Sequence, residues 1–190
     1  MLNNVDQWTA AYQGNGRAHK NRYPSERVVG WVLRNYKPGA RALDVGCGWG
    51  NNLRFLLAEG FDAEGIDFAS SAIDSLKSEF GARVRCEGAR QTSFSDGEFD
   101  FIIDRCSIQH NPSEDLPAIF AEMQRVLRPG GRFYSELRHV GDDGFQFAGP
   151  SMGQLREALA GFSQVHIDLM NRTEENQTRR FESYLIDATK

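Results

Sequence analysis

The chain of 190 residues is 40% apolar and 11% aromatic, which supports one core of moderate size and excludes global disorder. Its 22 Lys and Arg against 26 Asp and Glu leave a net charge of −4, which argues against a protein that grips nucleic acid through its phosphates. No apolar run approaches the roughly 18 residues of a membrane span, and the opening Met1–Asp6 has neither the basic nor the apolar region of a signal peptide. The expectation is a soluble cytoplasmic protein with no membrane or nucleic-acid partner. Three widely spaced cysteines, Cys47, Cys86 and Cys106, form no C-x-x-C pair and no zinc-like cluster, so they read as buried free thiols.

In chain order, residues 1–24 are polar, without helical periodicity. They carry Trp8, Tyr12 and Tyr23 around a basic patch of Arg17, Lys20 and Arg22. Ser25 caps a helix to about Asn35 with Val28, Val29, Val32 and Leu33 on one face. Arg41–Val45 is a short buried strand, Gly46–Gly50 a glycine loop, and Asn51–Glu59 a helix stopped by Gly60. A second strand, Ala63–Asp67, precedes a helix over Ser70–Phe80. Strands follow at Arg83–Glu87 and Phe99–Cys106, the latter with Phe101, Ile102 and Ile103 in its middle. A helix from Ser113 to Leu127 is closed by Arg128-Pro-Gly-Gly131, and Arg132–Leu137 is another strand.

This alternation predicts right-handed βαβ units and a parallel sheet with helices on both faces. After a helix over Ser151–Ala160, Val165–Met170 and Arg180–Ile186 read as two antiparallel strands joined through Thr173–Thr178. The expected fold is therefore α/β, a Rossmann-like, doubly wound, mostly parallel seven-stranded sheet with a C-terminal antiparallel hairpin. One domain spans 1–190: residues 1–24 form an N-terminal lid, 25–140 the cofactor-binding core, and 141–190 the substrate-side segment.

The densest signal is Leu43-Asp-Val-Gly-Cys-Gly-Trp-Gly50. Glycines at alternate positions between a strand and a helix let the backbone turn tightly and approach a ligand. The crevice beyond the carboxyl ends of parallel strands is where such folds bind ligands. Asp67 ends the next strand, 21 residues after Gly46, where a carboxylate suits a ribose diol. That pair also suits an NAD site, but the dinucleotide fingerprint requires a third glycine where this chain has Asn51.

In these features the chain resembles the class I S-adenosylmethionine-dependent methyltransferases. Leu43–Gly50 resembles that family's first motif and Gly65-Ile-Asp67 its acidic second motif. Glu87-Gly-Ala-Arg90, followed by Phe94 and Asp96–Asp100, resembles the adenine-contacting region, and Arg128–Gly131 the turn before strand five. The resemblance implies S-adenosylmethionine as cofactor, with S-adenosylhomocysteine as product. It implies that Gly46, Gly48 and Gly50, with Cys47 between them, wrap the methionine part, while Asp44 orients the loop and faces the amino group. Asp67 would hold the ribose, Phe68 would lie against adenine, and Ala89 and Arg90 would border the adenine edge. Gly88 stands where the family usually has Asp, so a side-chain acceptor for the adenine amine is missing. The N-terminal region would fold over the cofactor, with Tyr23 reaching its carboxylate.

The loop after strand four, Asp104–Pro112, is where chemistry is expected. His110 is the general-base candidate because an imidazole titrates near neutrality; the competing reading is a packing or capping role. Asp104 and Arg105 either pair with each other or face the cofactor and the substrate. His139, Phe145 and Phe147 lie near the expected pocket wall, and His166 on a solvent-facing side of its strand. The expected activity is methyl transfer to a small molecule, oxygen preferred, by a monomer or homodimer. An NAD-type oxidoreductase and a non-catalytic cofactor-binding module remain alternatives at this point.

Overall fold

The computed structural model describes residues 4–13, 23–140, 149–174 and 179–190. The basic patch of Arg17, Lys20 and Arg22, His19, Phe145, Phe147 and most of the connection expected over 173–178 lie outside them. Strand β1 (Arg41–Val45) illustrates how the layers arise. Its side chains alternate, so Ala42 enters the core on one face of the sheet while Leu43 and Val45 enter the core on the other. Around it lie β2 (Asp62–Asp67), β3 (Val84–Cys86), β4 (Phe99–Arg105), β5 (Leu127–Val140), β6 (Gln164–Glu174) and β7 (Arg179–Thr189). They form one seven-stranded sheet ordered β3-β2-β1-β4-β5-β7-β6. The first five strands run parallel, and β7 is antiparallel to both β5 and β6.

Helices α2 (Glu26–Asn35), α3 (Asn51–Ala58) and α4 (Ser70–Phe80) bury Val28, Trp31, Val32, Leu53, Leu56, Ile73 and Leu76 on one face. On the other, α5 (Leu116–Val126) and α6 (Met152–Ala158) bury Ile119, Phe120, Met123, Val126 and Leu155. The indole of Trp31 donates to Asp187 at 2.8 Å, fastening α2 across the sheet to β7. The fold class expected from the alternation of elements is the one found.

Four details differ from the sequence reading. Residues Asn4–Gln13 form a helix, α1, within the segment that showed no periodicity. Its stability comes from contacts at Trp8 and Tyr12, one turn apart, rather than from an apolar stripe. Helix α5 begins at Leu116, because Ser113–Asp115 makes a tighter 3₁₀ turn and Pro117 occupies the first helical turn, where its missing N–H costs nothing. Strand β5 continues to Val140 because β7 pairs with it along Arg132–Val140. Cys86 is exposed, whereas Cys47 is buried.

The β1 turn and β2 touch at one tight point. A Cβ on Gly65 would lie 2.9 Å from Cys47 Cβ, 3.0 Å from its sulfur and 3.1 Å from Leu53 Cδ2. Gly65→Ala should therefore cost about 1–3 kcal/mol of stability by overpacking, measured by urea unfolding. Adding Cys47→Ala should recover part of that loss.

Candidate functional site

Three acidic side chains lie near the carboxyl ends of three neighbouring strands: Asp67 on β2, Asp44 on β1 and Asp104 on β4. All three are buried. The register places Gly65 and Ile103 on either side of Asp44, with Asp104 opposite Val45. Each carboxylate is held differently. Asp67 accepts the Ala69 N–H at 2.8 Å on one oxygen and the Gly48 N–H at 3.0 Å on the other. Asp104 accepts the N–H groups of Ser107 at 3.0 Å and Ile108 at 3.2 Å, and the Ser135 hydroxyl at 2.6 Å. It braces the loop after β4, and burial pushes its carboxyl up to about 6 against those bonds.

Asp44 is the least satisfied. The Leu53 N–H and the Asn52 side chain act on it, and Asn52 also accepts the Ser25 N–H at 3.0 Å. Its Oδ2 has no hydrogen-bond partner. Burial first, then the charges of Asp104 and Asp67, push Asp44 up to about 8.

The glycine loop supplies close approach. Gly46 has φ 66°, and a Cβ there would strike the Ser107 side chain at 2.0 Å. Gly48 has φ 50°, and a Cβ there would meet the Tyr12 hydroxyl at 2.6 Å. Both positions thus need glycine for conformation and for space. Cys106, the residue after β4, also sits in the left-handed region at φ 57°. Burial pushes its thiol up to about 12, with Glu136 adding to the shift while Arg105 and Arg138 oppose it.

Over these strand ends lies α1. The Ser71 hydroxyl donates to the Thr9 carbonyl at 2.7 Å. Tyr12 meets Trp49 edge to face at 5.0 Å, and Trp8 meets His110 edge to face at 4.7 Å. Burial, with the charges of Asp67, Cys47 and Asp44, raises the Tyr12 phenol well above its usual range, so it stays a hydrogen-bond donor. A cavity of ≈ 200 Å³ runs beneath. At one side are Gly46, Asp67 and Phe68, and at the other Arg105, Cys106, Ser107, Gln109, His110 and Arg138, with Trp8 and Tyr12 above.

Of the residues singled out from sequence, the cavity brings together Gly46, Asp67, Phe68, Arg105 and His110. Asp44 and Gly48 do not line it, although Gly48 adjoins two lining residues, Asp67 and Tyr12. Cys47 turns its side chain toward Gly65, and Gly50 backs onto Phe80 and Leu76 of α4. Ala89 is in the core cluster, and Arg90 is exposed and paired with Asp115 at 2.8 Å. Tyr23 is 79% exposed and does not line the cavity. His139 stacks on Tyr184 at 4.7 Å instead of lining it, and His166 is exposed as expected, although Val165 and Leu169 on the other face of its edge strand are exposed too. The sequence reading did not place Ser107, Gln109 or Arg138 in the site, and took Trp8 and Tyr12 as parts of an irregular cover. The four-residue spacing of those two aromatics was the available signal.

A glycine turn after β1, an acidic end to β2 and a reversal of strand order between β1 and β4 define an α/β crevice for a nucleoside-containing cofactor. The methyltransferase-domain family is matched over residues 42–131. Phosphoethanolamine N-methyltransferase 2 of Caenorhabditis elegans is 29% identical over 168 residues, covering 80% of this chain and 38% of that protein. The 24-methylenesterol C-methyltransferase 2 of Oryza sativa subsp. japonica is 34% identical over 130 residues, covering 63% of this chain and 35% of that one. The chain thus spans well under half the length of these relatives. A Haemonchus contortus phosphoethanolamine N-methyltransferase 2, solved with phosphomonomethylethanolamine and S-adenosylhomocysteine, superposes with a TM-score of 0.77 at 17% identity, over 100% of this chain and 60% of that one. Together these likenesses support placing the chain among the class I S-adenosylmethionine-dependent methyltransferases.

The residues present fit that family's cofactor. A sulfonium and an ammonium group are cations; Asp67 lines the crevice, and two further carboxylates, Asp44 with its orphaned oxygen and Asp104, are buried at the neighbouring strand ends. Among the described residues, no cluster of His, Cys, Asp and Glu suited to a metal ion is found, and no helix is long and apolar enough to cross a membrane.

The raised carboxyls carry a pH signature. The folded chain holds protons on Asp44 and Asp104 that the unfolded chain, with ordinary carboxyls near 4, has lost. Stability without ligand should therefore fall as pH rises from about 4 to about 8. In Asp44→Asn the decline should end near pH 7, about one unit above the Asp104 carboxyl, where that group has lost its proton. Thermal melts across that range measure both curves.

Proposed function

We propose that this chain transfers a methyl group from S-adenosylmethionine to a small molecule. One observation carries the reading: a single cavity joins the Gly46 turn and the Asp67 carboxylate to His110 under the cover of α1. When bound, the cofactor supplies a methyl group already activated on a sulfonium. The protein's work is then to bind, align and keep water out. Asp67 keeps lone pairs beyond those used by Gly48 and Ala69 to accept the ribose hydroxyls, and Phe68 offers its ring to the adenine. The amides of the Gly46–Gly50 turn line the methionine part. Asp44, ionised on meeting the ammonium, gains the partner that its Oδ2 lacks. Gly88 has open space around the position of a Cβ, so recognition of the adenine amine falls to backbone groups there.

His110 is buried, with Gln109 Nε2 at 3.4 Å and the Trp8 ring against it. We assign it to take the acceptor's proton or to orient the acceptor. That chemistry suits an oxygen acceptor, whose proton must leave, and equally a protonated amine. Helix α1, attached at Thr9, Trp8 and Tyr12, acts as the lid.

Calorimetry should show binding of S-adenosylhomocysteine and none of NAD; the reverse would sink the reading. Amide exchange in residues 4–13 should slow when S-adenosylhomocysteine binds, and equal exchange with and without it would remove the lid. Once a labelled-methyl screen supplies an acceptor, His110→Ala should lower turnover about 10²–10⁴-fold with cofactor affinity unchanged. If His110→Gln restores most of the rate, the imidazole orients the acceptor. If Gln is as slow as Ala and the limb of the pH profile near 6–7 disappears, it is the base.

A further inference from the structure

We infer that two copies of this chain pair edge to edge through β6, antiparallel, about a two-fold axis at Ile167. The sheet has two edges, β3 and β6. Strand β3 is three residues long, too short to recruit another strand. Strand β6 has 11 residues, Gln164–Glu174, and pairs with β7 in unbroken register. Its outer side therefore presents a row of backbone N–H and C=O groups that β7 does not take. Proteins guard such an edge with proline, lysine, a bulge or a very short strand. Strand β6 has none of these.

The side chains that β6 does carry match a second copy of itself. Val165, Ile167 and Leu169 share one face. Ile167 packs against the core, while Val165 is 38% and Leu169 52% exposed. His166 and Asp168 share the opposite face, both exposed and 3.1 Å apart. In a symmetric antiparallel pair the axis passes through one residue, and positions equally far before and after it face each other. An axis at Ile167 sets Val165 against Leu169 of the second copy and His166 against its Asp168, each match made twice. The exposed apolar residues then close into one row around the two Ile167 side chains, and imidazole meets carboxylate on the other face. Neighbouring axes match less well. At His166 or Asp168 the axis opposes that residue to itself, and at Leu169 it opposes His166 to Arg172. At Met170 it matches Asp168 with Arg172 but sets Leu169 against Asn171 and takes Val165 out of the apolar row. The pairing consumes both long edges and leaves β3 at either end, so it closes at two copies. The cavity lies at the other strands, and each copy keeps its own.

Sedimentation velocity of the full chain in reductant tests the pairing. One strand pair is a small interface beside the roughly 1,200–2,000 Å² of stable complexes, so we expect a dimer at about 100 μM that dissociates on dilution to about 1 μM. The Val165→Lys/Leu169→Lys double variant, which faces lysine with lysine, should be monomeric throughout, with circular dichroism unchanged and S-adenosylhomocysteine affinity within twofold. Should that variant lose its fold, Asp168→Lys, which faces His166, should weaken the dimer about 10-fold. The register is read by oxidising a mixture of His166→Cys and Asp168→Cys chains, each carrying Cys86→Ser because Cys86 is exposed. Directly opposed Cβ atoms lie about 4.5–5.5 Å apart and diagonal ones up to about 7–8 Å, so the mixed disulfide should exceed either self-linked product about 5-fold. A chain that stays monomeric at about 100 μM overturns the inference and leaves the edge to a different strand. A lysine double variant that still dimerises overturns it too, as does a Met170→Cys chain that cross-links to itself while the mixture does not.

Discussion

Three carboxylates packed at the ends of adjacent parallel strands are the constraint around which this crevice is built. Like charges buried at such separations raise one another's proton affinity, and each must otherwise be met by a donor or a cation. The chain meets two of them with its own groups. Gly48 and Ala69 turn their amides onto Asp67, and Ser107, Ile108 and Ser135 converge on Asp104. These bonds shape the two loops that border the cavity. The third, Asp44, is left with an oxygen unmatched, and its burial beside the other two keeps a proton on it where an ordinary carboxyl would be ionised. The glycine turn belongs to this arrangement: Gly48 donates to Asp67 with its own backbone in the left-handed region.

Most of the scaffold was legible because parallel strands buried on both faces produce dense apolar runs. Phe99–Arg105 and Arg41–Val45 are such runs, and helices with one apolar side separate them. The misplaced boundaries have local causes. At Ser113–Asp115 a tight turn replaces the first turn of a helix, and the difference between the two is a single hydrogen-bond register. The extension of β5 to Val140 depends on pairing with a strand some 45 residues later in the chain, information that no window of local sequence contains. Helix α1 was hidden for a related reason: it is short, carries few apolar residues, and is held by contacts with Trp49, Ser71 and His110, which belong to other elements.

The site divides the same way. Positions set by a local turn, such as Gly46, Gly48 and Asp67, could be placed from spacing alone, since strand, turn and helix follow one another within two dozen residues. Those that depend on side-chain direction could not. Cys47 faces the core instead of the crevice, because successive residues of the turn point to opposite sides and Gly65 leaves room for its sulfur. Arg90 is drawn off to Asp115, and Tyr23 stands exposed. Arg138 escaped notice because the strand carrying it was read as ending at Leu137, the residue before it. Ser107 and Gln109 lie in a loop that sequence marked as a region without ranking its members.

Cys106 adds a last consequence. A side chain held at φ 57° stores about 1–2 kcal/mol of backbone strain relative to an ordinary conformation. The strain persists because Asp104 clasps the next two amides and the Cys106 N–H is fixed on the Glu136 carbonyl at 2.8 Å. The loop that carries His110 is thus kept under tension by its own anchor. A glycine at this position would relax the strain and firm the fold, yet it would also widen the range of angles at which the chain leaves β4. Rigidity at the mouth of the cavity and thermodynamic ease are here opposed, and the cysteine marks the point where the molecule sacrifices the second for the first.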